Sequence, residues 1–147
     1  MQKYDIHVCL ISAQAAPNLL PILDSEFKPK KAVFVVSTKN EIKEKANALQ
    51  QVFKQNRVDV EILELSNEFD FQSMEAELFD LLSKYEKEDI ALNVTGGTKL
   101  MAIAAQNIFS GEKPIFYINT DKEEIIFISK ENDQYIPSLK LHTKTLI

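Results

Sequence analysis

Apolar runs alternate with stretches of helical periodicity along most of the chain. Residues 6–11 and 32–36 are apolar nearly throughout, which is typical of strands covered on both faces in a parallel sheet. Residues 58–65 alternate between apolar and polar positions, so this third strand should lie nearer an edge of the sheet. Residues 89–94 form a fourth apolar run, which predicts a central strand.

The stretches between these strands predict helices. Pro17 stands near the start of a first helix, a position that suits its fixed backbone angle, and this helix is expected to end near Glu26. A second helix runs from Asn40, its expected cap, to Asn56, with apolar positions recurring at helical spacing. A third helix covers residues 71–84, and a fourth covers residues 98–110. Each helix therefore follows a strand and precedes the next one.

The pattern changes after the fourth helix. Residues 115–119 predict a fifth strand, and a short connection leads to a sixth strand within residues 124–129. A connection this short makes the two strands an antiparallel hairpin. Residues 130–147 are polar and then weakly alternating, and their pattern predicts no definite element.

This alternation predicts an α/β fold. We expect a three-layer, Rossmann-like sandwich around a mostly parallel six-stranded sheet of order 3-2-1-4-5-6, with the antiparallel hairpin at strands 5 and 6. The chain, residues 1–147, has a length that fits one domain. In such sheets ligands bind beyond the carboxyl ends of the strands, where the strand order reverses.

The stretch from Asn93 to Lys99 is the strongest candidate for a site. Gly96 and Gly97 stand between the fourth strand and the fourth helix, where the chain must turn sharply and a ligand can approach the main chain closely. A helix N-terminus with Lys99 and threonine hydroxyls beside it favours an anion. The alternative is a plain strand-to-helix turn with Thr98 as the helix cap, and the residue types alone leave both interpretations open.

Charge and cysteine content narrow the function classes. The net charge of −5 disfavours duplex DNA and anionic membranes as partners. The N-terminus does not have the pattern of a signal peptide, and a cytoplasmic location is expected. Cys9 lies within an apolar strand, and one cysteine with two distant histidines, His7 and His142, predicts no zinc site.

Two loops together resemble a known family. They are the segment from Ser12 to Gln14, with Pro17 and Asn18 after it, and residues 93–102, of sequence NVTGGTKLMA. The chain resembles a CARF domain, the CRISPR-associated Rossmann fold, of the subgroup at the N-terminus of nuclease effectors. The resemblance implies a homodimer that binds a cyclic oligoadenylate, most often the tetramer, across its twofold axis in type III CRISPR antiviral signalling.

The resemblance also assigns roles to residues. Ser12 and Gln14 would contact ribose or base groups, while Gly96 to Lys99 would hold the phosphates. The expected ligand-binding set, which includes polar residues on the other loops of the same edge, is Ser12, Ala13, Gln14, Asn18, Ser37, Thr38, Asn93, Thr95, Gly96, Gly97, Thr98, Lys99 and Asn119. Ser37 and Thr38 could instead cap the second helix, and Asn119 could only shape the hairpin turn. No cofactor and no metal is expected.

Three functions compete. The first is a sensor without chemistry of its own, which controls an effector domain expected outside residues 1–147. The second is a metal-independent ring nuclease, in which Ser12, Thr98 and Lys99 would serve the cleavage of the same ligand by a ribose 2′-hydroxyl. Neither histidine follows a strand as a general base would. The third, a dinucleotide-dependent oxidoreductase, is disfavoured because the GxGxxG motif is missing.

Overall fold

The computed structural model describes residues 3–142, which alternate between strands and helices. The strands are β1 (Ile6–Leu10), β2 (Lys31–Val36), β3 (Asp59–Glu64), β4 (Ile90–Asn93), β5 (Ile115–Asn119), β6 (Glu124–Phe127), β7 (Lys130–Glu131), β8 (Gln134–Tyr135) and β9 (Leu139–Lys140). The helices are α1 (Ala16–Leu23), α2 (Asn40–Gln55), α3 (Phe71–Lys84) and α4 (Lys99–Phe109). Within this part of the chain, no helix is both long and apolar enough to cross a membrane.

The sheet has the order β3-β2-β1-β4-β5-β6-β9. Strands β1 to β5 pair in parallel, and β6 pairs antiparallel with both β5 and β9. The predicted order of six strands and the predicted hairpin are confirmed, and β3 lies at the edge as its alternation indicated. The sheet nevertheless has seven strands, because β9 joins it beside β6.

Residues 130–142, which the sequence pattern left without an element, form short pieces of β-structure. Strands β7 and β8 pair as a separate antiparallel hairpin whose turn residues, Asn132 and Asp133, have positive φ angles of 55° and 64°. Each strand of this region has two residues. So short a strand cannot display the period-two alternation that sequence analysis reads.

The two faces of the sheet pack against different helices. Val8 and Leu10 of β1 belong to a core cluster with α3 and α4, whereas Cys9 and Ile11 belong to a cluster with α1 and α2. Because alternate residues of a strand point to opposite faces, burial on both faces requires the continuous apolar runs seen in the sequence. The three-layer sandwich is therefore present, and Cys9 is a buried core residue.

Asp24 determines where the first helix ends. Its backbone is extended, and one carboxylate oxygen accepts the main-chain N–H groups of Glu26 at 2.8 Å and Phe27 at 3.2 Å. The other oxygen accepts the main-chain N–H of His142 at 2.8 Å. A buried carboxylate needs such donors, and it thereby holds the last described residue against the end of α1.

His7 is buried between aromatic rings. Its imidazole centroid lies 5.0 Å from that of Phe27 and 5.2 Å from that of Phe116. The Nε2 atom has no hydrogen-bond partner among the residues that the structure describes. Burial lowers the pKa of His7 to about 3, so the ring is neutral at ordinary pH. This environment fits a structural histidine and not a catalytic base.

We expect His7→Leu to reduce the acid sensitivity of the fold. The pKa of His7 lies below the unfolded value of about 6.5, so between that value and about 3 the unfolded chain binds a proton that the folded chain does not. Stability should therefore fall as the pH drops through this window. The decrease in melting temperature between about pH 7 and pH 5 should be smaller in the variant than in the parent by roughly 5 °C.

The matched control for this thermal melt is His142→Leu, which makes the same substitution at an exposed histidine. The melting temperature of this variant should decrease between about pH 7 and pH 5 by as much as that of the parent. An equal acid response of the parent and His7→Leu would show that the buried imidazole does not contribute to acid unfolding.

Candidate ligand-binding site

The carboxyl ends of β1 and β4 adjoin at the point where the strand order reverses. The two strands pair in parallel register from Ile6 opposite Ile90 to Cys9 opposite Asn93. Strand β2 lies on the other side of β1, and β5 lies on the other side of β4. The four connections that leave these strands therefore begin at the same side of the sheet, where the carboxyl ends of the parallel strands lie, as the predicted topology requires.

Gly96 and Gly97 place the β4–α4 loop directly against the end of β1. A Cβ atom built on Gly96 would lie 2.2 Å from the main-chain oxygen of Leu10 and 3.3 Å from the Oγ of Ser12. Gly97 has a φ of +77°, in the left-handed region that favours glycine. The first glycine is required by close approach and the second by backbone conformation.

Asn93 and Thr95 hold this loop in place. The buried Asn93 side chain donates from Nδ2 to the carbonyl oxygen of Pro17 at 3.1 Å. Its Oδ1 accepts from the main-chain N–H of Thr95 at 3.2 Å and from the Thr95 hydroxyl at 2.7 Å. The Thr95 hydroxyl in turn accepts from the N–H of Ile118 at 2.8 Å. These bonds tie the loop to α1 and to β5.

Thr98 caps α4, which begins at Lys99. The Thr98 Oγ1 accepts the main-chain N–H of Met101 at 3.2 Å, and the first turn of the helix contains no acidic residue. The capping interpretation is thus confirmed. A cap satisfies one of the four N–H groups at a helix start, so it is compatible with an anion nearby. Thr98 and Lys99 are both exposed.

The connection between β2 and α2 is held by a carboxylate that the sequence pattern did not single out. Glu68 accepts from the main-chain N–H of Thr38 at 3.0 Å and from its hydroxyl at 2.9 Å. The Thr38 N–H lowers the pKa of Glu68 against the effect of burial, and the hydroxyl lowers it further. Residues 66–70 have the polar pattern of a solvated loop, which conceals this role.

Helix α2 begins without a side-chain cap. Its N-cap residue is Lys39, and no side chain accepts a hydrogen bond from its first turn. The expected capping by Asn40, and the alternative capping by Ser37 or Thr38, are therefore wrong. Asn40 is the first residue of the helix, and the Thr38 hydroxyl donates to Glu68.

A cavity of about 190 Å³ opens between the loops that follow β1, β2 and β4. Its lining consists of Ile11, Ser12, Ala13, Ser37, Lys39, Glu41, Ile42, Gly97, Thr98 and Met101. Five of these residues belong to the predicted ligand-binding set: Ser12, Ala13, Ser37, Gly97 and Thr98. Lys39 and Glu41 are additional charged residues, which lie outside the predicted set.

The other residues of the predicted set lie outside this lining. Gln14, Thr38 and Lys99 are exposed, and Asn119 is half-buried at the end of β5. Asn18 is fully buried in α1, and neither atom of its amide has a hydrogen-bond partner among the described residues. Asn93, Thr95 and Gly96 shape the β4–α4 loop. Within residues 3–142, no group of three or more histidine, cysteine, aspartate or glutamate side chains could hold a metal ion.

A family model for the Card1 CARF domain matches residues 6–144, nearly the whole chain. The chain belongs to the CARF family. The match includes both loops on which the resemblance rested. No curated protein sequence gives a significant match.

Solved structures share this fold of the CARF domain. Can2 from Sulfobacillus thermosulfidooxidans, in complex with cyclic tetra-adenylate, superposes with a TM-score of 0.79 and 24% identity, over 94% of this chain and 37% of Can2. VC1899 from Vibrio cholerae superposes with a TM-score of 0.77 and 17% identity, over 89% of this chain and 35% of VC1899. A type III CRISPR defence DNA nuclease activated by cyclic oligoadenylate superposes with a TM-score of 0.74 and 16% identity, over 96% of this chain and 21% of the nuclease.

The chain therefore spans about a third or less of the length of these relatives. Sequence identities this low show the fold of the CARF domain, and what each relative binds or cuts belongs to that relative.

Proposed function

We propose that this CARF domain is a sensor that binds cyclic oligoadenylate, the cyclic tetramer above all, and controls an effector in type III CRISPR defence. The observation that carries the proposal is the Gly96-Gly97-Thr98-Lys99 loop, pressed against the end of β1 in a chain of the CARF family. Can2, with a cyclic tetra-adenylate, and the nuclease activated by cyclic oligoadenylate have similar folds. The effector in this proposal lies outside the residues described.

The loop offers donors suited to phosphate oxygens. Gly97, which lines the cavity, leaves the main chain of the loop uncovered by a side chain, and the start of α4 adds the positive end of the helix dipole. Lys99 adds a full positive charge that can hydrogen-bond to a phosphate. Ser12 and Lys39 line the adjoining cavity and extend the same set of donors.

The proposed assembly is a twofold homodimer. A ring of repeated nucleotides has phosphates on opposite sides, and one copy of the loop can hold only part of them, so an isologous pair is the natural receptor. Leu100 and Ile103, which follow Lys99 in α4, are 39% and 50% exposed. Large exposed apolar side chains next to a site support an interface there.

The sensor is tested by incubating the protein with cyclic tetra-adenylate and separating the mixture by size-exclusion and reversed-phase chromatography. We expect intact ring to co-elute with protein at the size of a dimer. A ring that elutes apart from the protein would contradict the proposal.

Glu41 supports a second candidate, the metal-independent ring nuclease. Its carboxylate lines the cavity together with Ser12 and Lys39, and so supplies the general base that the two histidines do not. The 2′-oxygen would attack the adjacent phosphorus, with its proton passing to Glu41. The bond from phosphorus to the 5′-oxygen would break, and that oxygen would take up a proton from water.

The same chromatograms separate the two candidates. The nuclease would release linear products with 2′,3′-cyclic phosphate ends, and Glu41→Gln would stop their formation while the ring still bound. Our first proposal expects no linear product from the parent protein.

A further inference from the structure

Glu68 is a buried carboxylate close to the proposed ligand site, although it does not line the cavity. It lies in the loop between β3 and α3 and is 4% exposed. A carboxylate covered to this extent needs hydrogen-bond donors, and Thr38 supplies two of them. Thr38 stands between Ser37 and Lys39, which both line the cavity. The partner of Glu68 is therefore directly bonded to two residues of the cavity wall.

Both hydrogen bonds from Thr38 end on the same oxygen of Glu68. The main-chain N–H donates to Oε2 at 3.0 Å, and the hydroxyl donates to it at 2.9 Å. The first bond restrains the backbone of Thr38, and the second restrains its side-chain rotamer. Bonds to an ionised acceptor are stronger than bonds between neutral groups. Thr38 is thus fixed relative to the β3–α3 loop.

The loop that carries Glu68 is itself restrained. The main-chain N–H of Ser66 donates to the Glu77 carboxylate of α3, at 3.2 Å from each of its oxygens. The N–H of Phe69 donates to the side-chain oxygen of Asn67 at 2.9 Å, which fixes the turn around Glu68. The Glu68 carboxylate therefore extends from a fixed loop and can hold Thr38 in one position.

The backbone of Lys39 depends on this anchor. On one side, its carbonyl oxygen accepts the N–H groups of Ile42 and Lys43 at 3.1 Å each, which starts α2, a helix without a side-chain cap. On the other side it is joined to Thr38, which Glu68 holds. The Lys39 ammonium forms no ion pair within residues 3–142, so it is available to a ligand.

We propose that Glu68 is a positioning residue, which holds the segment 37–39 so that Lys39 faces the phosphates of the ligand. This inference rests on the proposed function, because Lys39 is one of the donors assigned there to cyclic oligoadenylate. Glu68 acts through Thr38 and does not touch the ligand.

Electrostatics alone predicts the opposite effect of Glu68. The Thr38 N–H and hydroxyl lower its pKa, and the positive charge of Lys39 lowers it as well, so the two charges interact. A negative charge near the site repels an anion, and its removal by itself should tighten the binding of the ring. Positioning predicts weaker binding, because a loosened Lys39 loses more conformational entropy when the ligand binds. The sign of the change in affinity separates the two.

The test is a calorimetric titration of cyclic tetra-adenylate into Glu68→Ala. We expect the affinity to fall by about tenfold, since both copies of Lys39 in the proposed dimer lose their fixed position. Glu68→Gln, whose amide oxygen can still accept from Thr38, should stay within a few-fold of the parent. Glu44→Ala removes a carboxylate at an exposed position of α2 and is the matched control, which should not weaken binding. Equal or tighter binding by Glu68→Ala would overturn the proposal.

A double-mutant cycle with Lys39→Ala distinguishes positioning from a general loss of structure. Glu68→Ala removes two hydrogen bonds, so its melting temperature should fall as well. If Glu68 acts through Lys39, adding Glu68→Ala to Lys39→Ala should change the affinity by less than about twofold. An undiminished loss in the Lys39→Ala background would show that Glu68 does not act through Lys39.

The parent protein separates this inference from the proposed function. A parent that does not bind the ring would overturn the proposed function, and the role of Glu68 with it. A parent that binds the ring as tightly as Glu68→Ala does would overturn the role of Glu68 alone. In the ligand-free protein, the heteronuclear NOE values of the Thr38 and Lys39 amides should fall in Glu68→Ala. Unchanged values would contradict the restraint on which the proposal rests.

Discussion

Lys99→Ala should lower the affinity for cyclic tetra-adenylate at least about a hundredfold while the melting temperature hardly changes. The substitution removes one ammonium from each protomer and two from each pocket of the proposed dimer. Hydrogen bonds to charged groups contribute about 1.5 to 3 kcal/mol each, so two of them correspond to this loss. The side chain is exposed, and alanine is a favourable residue at the start of a helix interior. Isothermal titration calorimetry and a thermal melt measure the two effects.

Lys87→Ala is the matched control for this experiment. Lys87 is exposed in the turn before β4, at the amino end of the parallel strands, and its loss changes the net charge by the same amount. Its affinity should stay within a few-fold of the parent's because only long-range screening is altered. If Lys99→Ala bound the ring as tightly as the parent, the anion site would lie elsewhere.

Gly96→Ala should lower stability and affinity together. The new Cβ would lie 2.2 Å from the Leu10 main-chain oxygen, far inside any permitted contact, and a main-chain neighbour cannot rotate away. Relief requires a shift of the β4–α4 loop away from β1. We expect a loss of about 2 to 4 kcal/mol in the free energy of unfolding, or on the order of 10 °C in melting temperature. The displaced N–H donors should weaken binding about tenfold or more.

Gly111→Ala separates this clash from the general cost of replacing glycine. Gly111 has a φ of +79°, and no atom lies within 4 Å of a Cβ built on it. The only cost of alanine there is therefore the strain of a positive φ. That cost is about 1 kcal/mol, and ligand affinity should not change. A melting temperature of Gly96→Ala equal to that of Gly111→Ala would show that the close approach of the loop to β1 is absent in solution.

The sequence sufficed for most of the fold because burial on both faces of the central strands leaves an unmistakable signal. Apolar runs such as residues 32–36, separated by periodic helices, predicted the layers, and the strand order was the one expected of a Rossmann-like sandwich. The same reasoning failed at β9, because a strand of two residues is too short to show the alternation of apolar and polar positions. It also failed at the end of α1, because the hydrogen bonds from the Glu26 and Phe27 amides to Asp24 cannot be seen in a hydrophobic pattern.

The site was predictable where backbone geometry demanded a particular residue. Adjacent glycines between a strand and a helix indicated a sharp turn, and Gly97 has the positive φ that suits such a turn, but the close approach of Gly96 to Leu10 was not predicted. Lys39 and Glu41 escaped prediction because a charged helix start has the same pattern whether it faces solvent or a cavity. Glu68 escaped because its hydrogen bonds to Thr38 join loops thirty residues apart, and pairing at that distance depends on the folded sheet.

Calorimetric titration of cyclic tetra-adenylate into the parent protein, with linear tetra-adenylate as the control ligand, tests the central proposal most directly. The proposed sensor predicts saturable heat with one ring per two chains, and much weaker binding of the linear form, which must lose more conformational entropy to adopt the bound shape. The absence of binding heat, or a ratio of one ring per chain, would contradict a shared pocket on a homodimer.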